Sequence, residues 1–103
     1  MIHVVAVITA KPGMRARLLE AFAANLPAVL AEEGCIEFGA TIDAAGMPAS
    51  KASFGADTFV VIEKWESLAA LQAHAVAPHM AAYAAQTREF IESRLIHVLE
   101  PVA

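Results

Sequence analysis

The chain has 103 residues, 58% of them hydrophobic, and carries 11 acidic against 7 basic side chains for a formal net charge of −4. That length holds one domain, residues 1–103, and the apolar content excludes a disordered chain. Seven scattered cations form no phosphate-tracking stripe, which excludes sequence-independent nucleic-acid binding.

Residues 2–10 are rich in β-branched side chains and end at Lys11-Pro12-Gly13, which supplies turn chemistry, so the first element is a strand. From Met14 to about Glu33, Leu19, Phe22, Leu26 and Leu30 recur at three- and four-residue spacing and predict one apolar helical face. Pro27 lacks the N–H that bonds back one turn, which predicts a bend or restart there, and Gly34 is the stop signal. Cys35 to Asp43 alternates as a second strand, with Ile36, Phe38, Ala40 and Ile42 on one side. Residues 44–57, which include Gly46, Pro48, Ser50, Ser53 and Gly55, form a long connection rather than a tight hairpin. Thr58 to Glu66 is a third strand, with Phe59, Val61, Glu63 and Trp65 facing one way and Val60, Ile62 and Lys64 the other.

Ser67 is placed to cap a helix running to about Val76, and Pro78 forces a break before another from His79 to about Ile91. On that helix Met80, Tyr83, Thr87 and Phe90 share a face. Arg94 to Glu100 is a last strand, closed by Pro101. The order β-α-β-β-α-β with right-handed crossovers predicts an α+β, ferredoxin-like split β-α-β sandwich, both helical segments lying on one face of a four-stranded antiparallel sheet. Strands one and three are apolar on both faces, so the uncovered face calls for a partner, and a two-fold homodimer joined through the sheets is the expectation.

A single cysteine, Cys35, excludes an internal disulfide and fits a reducing compartment. The N-terminal apolar run has no basic region ahead of it, and the uncharged stretch from Ser67 to Thr87 is interrupted by Pro78 and several polar side chains. A cytoplasmic protein without membrane insertion is therefore expected.

No phosphate loop, Gly-x-Ser-x-Gly or His-Glu-x-x-His motif is present, so the candidates for chemistry cluster in Glu63-Lys64-Trp65-Glu66-Ser67 and in His74 to Tyr83. His79 starts its helix just after Pro78 and Tyr83 follows one turn on, which stacks the two side chains on one face. A helix N-terminus favours the neutral imidazole, the form that acts as a base. His79 could equally satisfy backbone groups around the break. His74, three residues after Leu71, lies near a buried stripe and reads as a core-facing histidine. A metal site would need a third ligand from Glu63 or Cys35 at a spacing unlike known sites, so no metal is expected. Trp65 and Glu63 share a strand face, placing a flat apolar wall beside a carboxylate, and Arg94 could meet an anionic group.

These residues resemble the antibiotic biosynthesis monooxygenase family, and within it the small bacterial quinol monooxygenases. The matching segments are Lys11-Pro12-Gly13, Glu32-Glu33-Gly34-Cys35, Val61 to Ser67, and Ala73-His74 followed by Ala77-Pro78-His79-Met80 and Tyr83. The resemblance implies a dimeric α+β barrel and oxidation of a quinol or hydroxylated aromatic by molecular oxygen, with neither metal nor flavin as cofactor. It places His79, Tyr83 and His74 as catalytic residues, His79 by preference as the base. Trp65, Phe38, Met80, Glu63 and Arg94 are placed against the substrate. Phe38 departs from the tyrosine expected there in close relatives. Competing readings on the same fold are haem degradation, for which residues 2–10 lack the expected asparagine, isomerisation of hydroxyketone phosphates, for which cations are few, and a non-catalytic dimeric module binding a small aromatic.

Overall fold

A computed structural model describes residues 1–47 and 51–103. Its elements are β1 (Ile2–Ala10), α1 (Arg15–Leu30), β2 (Cys35–Thr41), β3 (Thr58–Trp65), α2 (Leu68–Ala75), α3 (Pro78–Thr87), a 3-10 turn (Arg88–Phe90) and β4 (Ile91–Leu99). The strands form one antiparallel sheet in the order β2-β3-β1-β4, the order a ferredoxin-like split β-α-β chain must give.

Alternation along β1 decides the two faces. Ile2, Val4, Ala6, Ile8 and Ala10 are buried, whereas Val5 and Val7 on the opposite face are only partly covered. On β3, Phe59, Val61, Glu63 and Trp65 join the buried face, which places Trp65 on the helix side of the sheet. Two clusters fill that side, one around Phe22, Leu18 and Phe59 and one around Trp65, Val4 and Val29.

Helix α1 differs from its predicted face. Leu18, Phe22 and Val29 are its buried residues, while Leu30 is 52% exposed. Leu19 and Leu26 pack at the flank. Nor does the helix restart at Pro27, which lies within one continuous helix and whose carbonyl accepts from the Ala31 N–H. The chain loses one backbone bond there and recovers the next.

In β2 the pairing register shifts between Cys35 and Glu37. This bulge breaks the predicted alternation, because the extra residue lets Cys35 and Phe38 both pack inward and turns Ile36 out to 49% exposure. Ile42 falls beyond the end of the strand and is also exposed. Strand β4 starts three residues earlier than predicted, at Ile91, paired with Ala10.

The turn into β2 is held tightly. Gly34 has φ +84°, and a Cβ there would lie 2.6 Å from the Ala70 Cβ of α2. Its carbonyl accepts from the Glu66 N–H, which brings the turn beside the start of α2. Ser67 caps α2 by accepting from the Ala70 N–H, and Pro78 opens α3 at its first helical position.

Of the connection at 44–57, Pro48 and Ser50 lie outside the described residues, and the described ends are tied down. The Asp43 carboxylate accepts from the Phe54 and Gly55 N–H groups, which hold its carboxyl below the ordinary value. Asp57 accepts from the Gly13 N–H, and Arg15 donates to the Thr58 and Gly55 carbonyls. The far end is thus fastened to the start of α1.

Candidate functional site

Between the helix face of the sheet and the helices lies an apolar cavity of about 540 Å³. Val4, Ala6, Ile8 and Val61 form its floor, and side chains of α1, α2 and α3 its walls. Its edge along β4 is open, since Ile96 and Val98 line it yet remain 56% and 50% exposed. The few polar groups that reach it include Asn25, Glu63, His74, Tyr83, Thr87 and Arg94. An apolar slot with a small set of convergent polar groups is the form that small-molecule sites take.

Glu63 and His74 are held by different means. The Glu63 carboxylate is buried on β3 and accepts the Trp65 indole N–H at 2.9 Å. Burial pushes its carboxyl above the ordinary value, and the nearby Glu32 adds to this, while the Trp65 bond and His74 oppose it. His74 is buried near the end of α2, with its ring centroid 4.7 Å from that of Trp65 and 5.4 Å from that of Phe38. Its Nδ1 lies 2.8 Å from Glu32 Oε2. A carboxylate oxygen only accepts, so Nδ1 is the donor in this contact. Among the described residues no protein group occupies Nε2, and it is not a sealed, unsatisfied atom.

Other predicted residues divide into those that reach the cavity and those that support it. Phe38 and Met80 line it, Phe38 stacking on Phe22 at 5.5 Å and meeting the edge of Trp65 at 6.3 Å. Tyr83 also lines it, and burial pushes its phenol up with Arg94 opposing, which keeps the hydroxyl a donor near neutral pH. Trp65 is 0% exposed and does not line the cavity; it is the backing wall against which His74 and Phe38 are set. His79 does not line it either. Its Nε2 is 3.1 Å from Glu32 Oε2 and its Nδ1 3.2 Å from Asn25 Oδ1, so both nitrogens are engaged by protein groups.

Glu32 and Asn25 went unnoticed as site residues in the sequence. Glu32 stands in Glu32-Glu33-Gly34-Cys35 just before β2, but nothing in its spacing ties it to a histidine 42 residues later. Cys35 is half-buried, and its thiol is pushed up by burial and by Glu32 and Glu63, which makes it a poor nucleophile. Among the described residues no three His, Cys, Asp or Glu side chains converge as metal ligands, and no helix is long and apolar enough to cross a membrane.

The family model described as antibiotic biosynthesis monooxygenase matches residues 1–86. The chain belongs to the antibiotic biosynthesis monooxygenase family. A relative from Escherichia coli K12 named "Probable quinol monooxygenase YgiN" is 40% identical over 104 residues, covering 98% of each chain. Solved structures of this family's fold include Rv0793 from Mycobacterium tuberculosis, 26% identical with a TM-score of 0.80, covering 99% of this chain and 95% of that one. PA3566 from Pseudomonas aeruginosa superposes with a TM-score of 0.81 at 24% identity, covering 99% and 94%.

Proposed function

We propose that the protein oxidises a quinol or closely related hydroxylated aromatic with molecular oxygen, using no metal or flavin, and that it acts as a homodimer. One observation carries the reading: His74 lines an apolar cavity with Nδ1 committed to Glu32 and Nε2 left for a ligand. An oriented imidazole in an apolar slot is what deprotonation of a phenolic hydroxyl requires. The 40% identity to the relative named for quinol oxidation supports the substrate class.

Nε2 of His74 takes the proton of a quinol hydroxyl. The resulting quinolate is a strong reductant and passes one electron to O₂, leaving a semiquinone and superoxide, which sidesteps the spin barrier to direct two-electron reaction. A second electron follows, and the two protons of the quinol end on the reduced oxygen, so that quinol and O₂ become quinone and hydrogen peroxide. A hydroxyarene with a reactive methylene shares the first electron transfer, after which the carbon gains one oxygen as a carbonyl and the other leaves as water. Phe38 and Met80 hold the ring, and the Tyr83 hydroxyl donates to the developing oxygen charge. His74 takes the base role in preference to His79, because His79 has no nitrogen facing the cavity.

The homodimer reading rests on exposure. Leu95 and Leu99 on the open sheet face are 60% and 46% exposed, beside Val5, Val7 and Ile62. A second copy covering this face would bury these apolar side chains, with His3, His97 and Lys64 sharing the same face.

The test is oxygen uptake by metal-free protein with a reduced naphthoquinol, against the autoxidation rate. Uptake above background that His74→Ala abolishes supports the reading, and peroxide yield distinguishes dehydrogenation from oxygen insertion. Wild-type uptake equal to background across quinols and hydroxyarenes overturns it and leaves a binding module.

A further inference from the structure

A hydrogen-bond chain lies behind His74, away from the cavity floor. Glu32 Oε2 meets His74 Nδ1 at 2.8 Å and His79 Nε2 at 3.1 Å, and His79 Nδ1 meets Asn25 Oδ1 at 3.2 Å. The orientation of the Asn25 amide follows from Met80, whose Sδ lies 3.3 Å from Nδ2. A thioether accepts and cannot donate, so the amide N–H points to Met80 and the amide carbonyl faces His79.

Facing a carbonyl, His79 Nδ1 must donate. Facing a carboxylate oxygen, which only accepts, Nε2 is satisfied by donating as well. His79 is thus an imidazolium donating from both nitrogens. Glu32 is a carboxylate, and His74 is neutral, with its proton on Nδ1. Side-chain exposure rises along the chain from 8% at His74 through 16% at Glu32 to 28% at His79, which keeps the cation at the wetter end. The N-terminus of α3 opposes a charge on His79, but its diffuse partial charge is weaker than a carboxylate in hydrogen-bond contact.

We infer that Glu32 and His79 are a positioning pair acting through His74: Glu32 fixes the tautomer that turns the Nε2 lone pair to the cavity, and His79 offsets the carboxylate. A lone carboxylate in contact with His74 would favour its protonated ring and so disable it as a base. The other titratable groups facing this cluster are Glu63 on β3 and Cys35 on β2, with uncharged Asn25 contributed by α1. The role assigned to His74 rests on the oxidase reading; the proton positions do not.

The experiment is ¹⁵N–¹H correlation NMR of the histidine rings of the ligand-free protein, with pH titrations of wild type, Glu32→Gln and His79→Gln. At neutral pH His74 is expected as the Nδ1–H tautomer and His79 with both nitrogens protonated. His79→Gln leaves the carboxylate without its counter-charge and should raise the His74 titration midpoint, whereas Glu32→Gln should lower it. The acidic limb of the quinol-oxidation pH profile should move in the same two directions. An Nε2–H tautomer at His74, a neutral His79, or two variants that shift the midpoint alike or leave it in place overturns the inference. If a variant fails to fold, the wild-type ring signals decide alone. Because these signals need no turnover, absent oxygen uptake counts against the oxidase reading only, and a wrong tautomer against the positioning pair only.

Discussion

Trp65 donates its indole N–H to Glu63 Oε1 over 2.9 Å, two residues apart on one face of β3, and so gives a buried carboxylate a fixed donor. The same indole backs the His74 ring. One side chain therefore ties the acid of the cavity to its histidine, although it does not touch the cavity itself.

Removing that donor exposes the cost of the carboxylate. Trp65→Phe should destabilise the fold by roughly 1–3 kcal/mol for the unpartnered buried acceptor, plus the loss of packing from a smaller ring. Urea denaturation checks this. In the double variant with Glu63→Gln the penalty should shrink, because a neutral amide is less costly to bury, and the non-additivity isolates the pair.

The elevated Glu63 carboxyl makes a pH prediction. Its folded value lies above the ordinary 4.5, so protonated Glu63 favours the fold, a contribution fully present below about pH 4.5 and lost as pH rises through the higher folded value. Glu63→Gln, which still accepts from Trp65, should flatten stability across that window. At pH 7 it should be at least as stable as wild type in the same denaturation assay.

Glycines separate steric from conformational effects. Gly34→Ala combines a positive φ with a Cβ 2.6 Å from Ala70 Cβ, and should cost roughly 2–5 kcal/mol in thermal or urea unfolding. Adding Ala70→Gly should return only the clash. Gly46→Ala, with φ +84° and nothing within 4 Å, should cost about 1–2 kcal/mol, and Gly39→Ala, with open space and no positive φ, should be close to neutral.

Assembly is tested on the open face. Val7 and Leu95 are paired across β1 and β4, and Leu95 is 60% exposed. Wild type should sediment as a dimer and Leu95→Glu as a monomer with an unchanged circular dichroism spectrum, since a lone charge in a desolvated apolar interface is costly. A monomeric wild type overturns the homodimer.

The sequence by itself determined the element order, which residues of β1 and β3 share a face, the Ser67 cap and the break at Pro78, because periodicity, capping and turn chemistry act over a few residues, and its segments carried the resemblance to the family. It misplaced the buried stripe of α1 and the alternation of β2, where a bulge consumes one residue and reverses the faces. Which histidine meets the cavity was beyond it: local patterning places His74 and His79 near each other but cannot say what each faces. Only the tertiary structure decided that, by bringing Glu32 to His74 across 42 residues and Asn25 to His79 across 54. Those contacts depend on how α1 crosses the sheet to meet α3 and on where the turn after α1 meets α2. No local spacing encodes that crossing, and it is the packing of distant apolar faces that sets it.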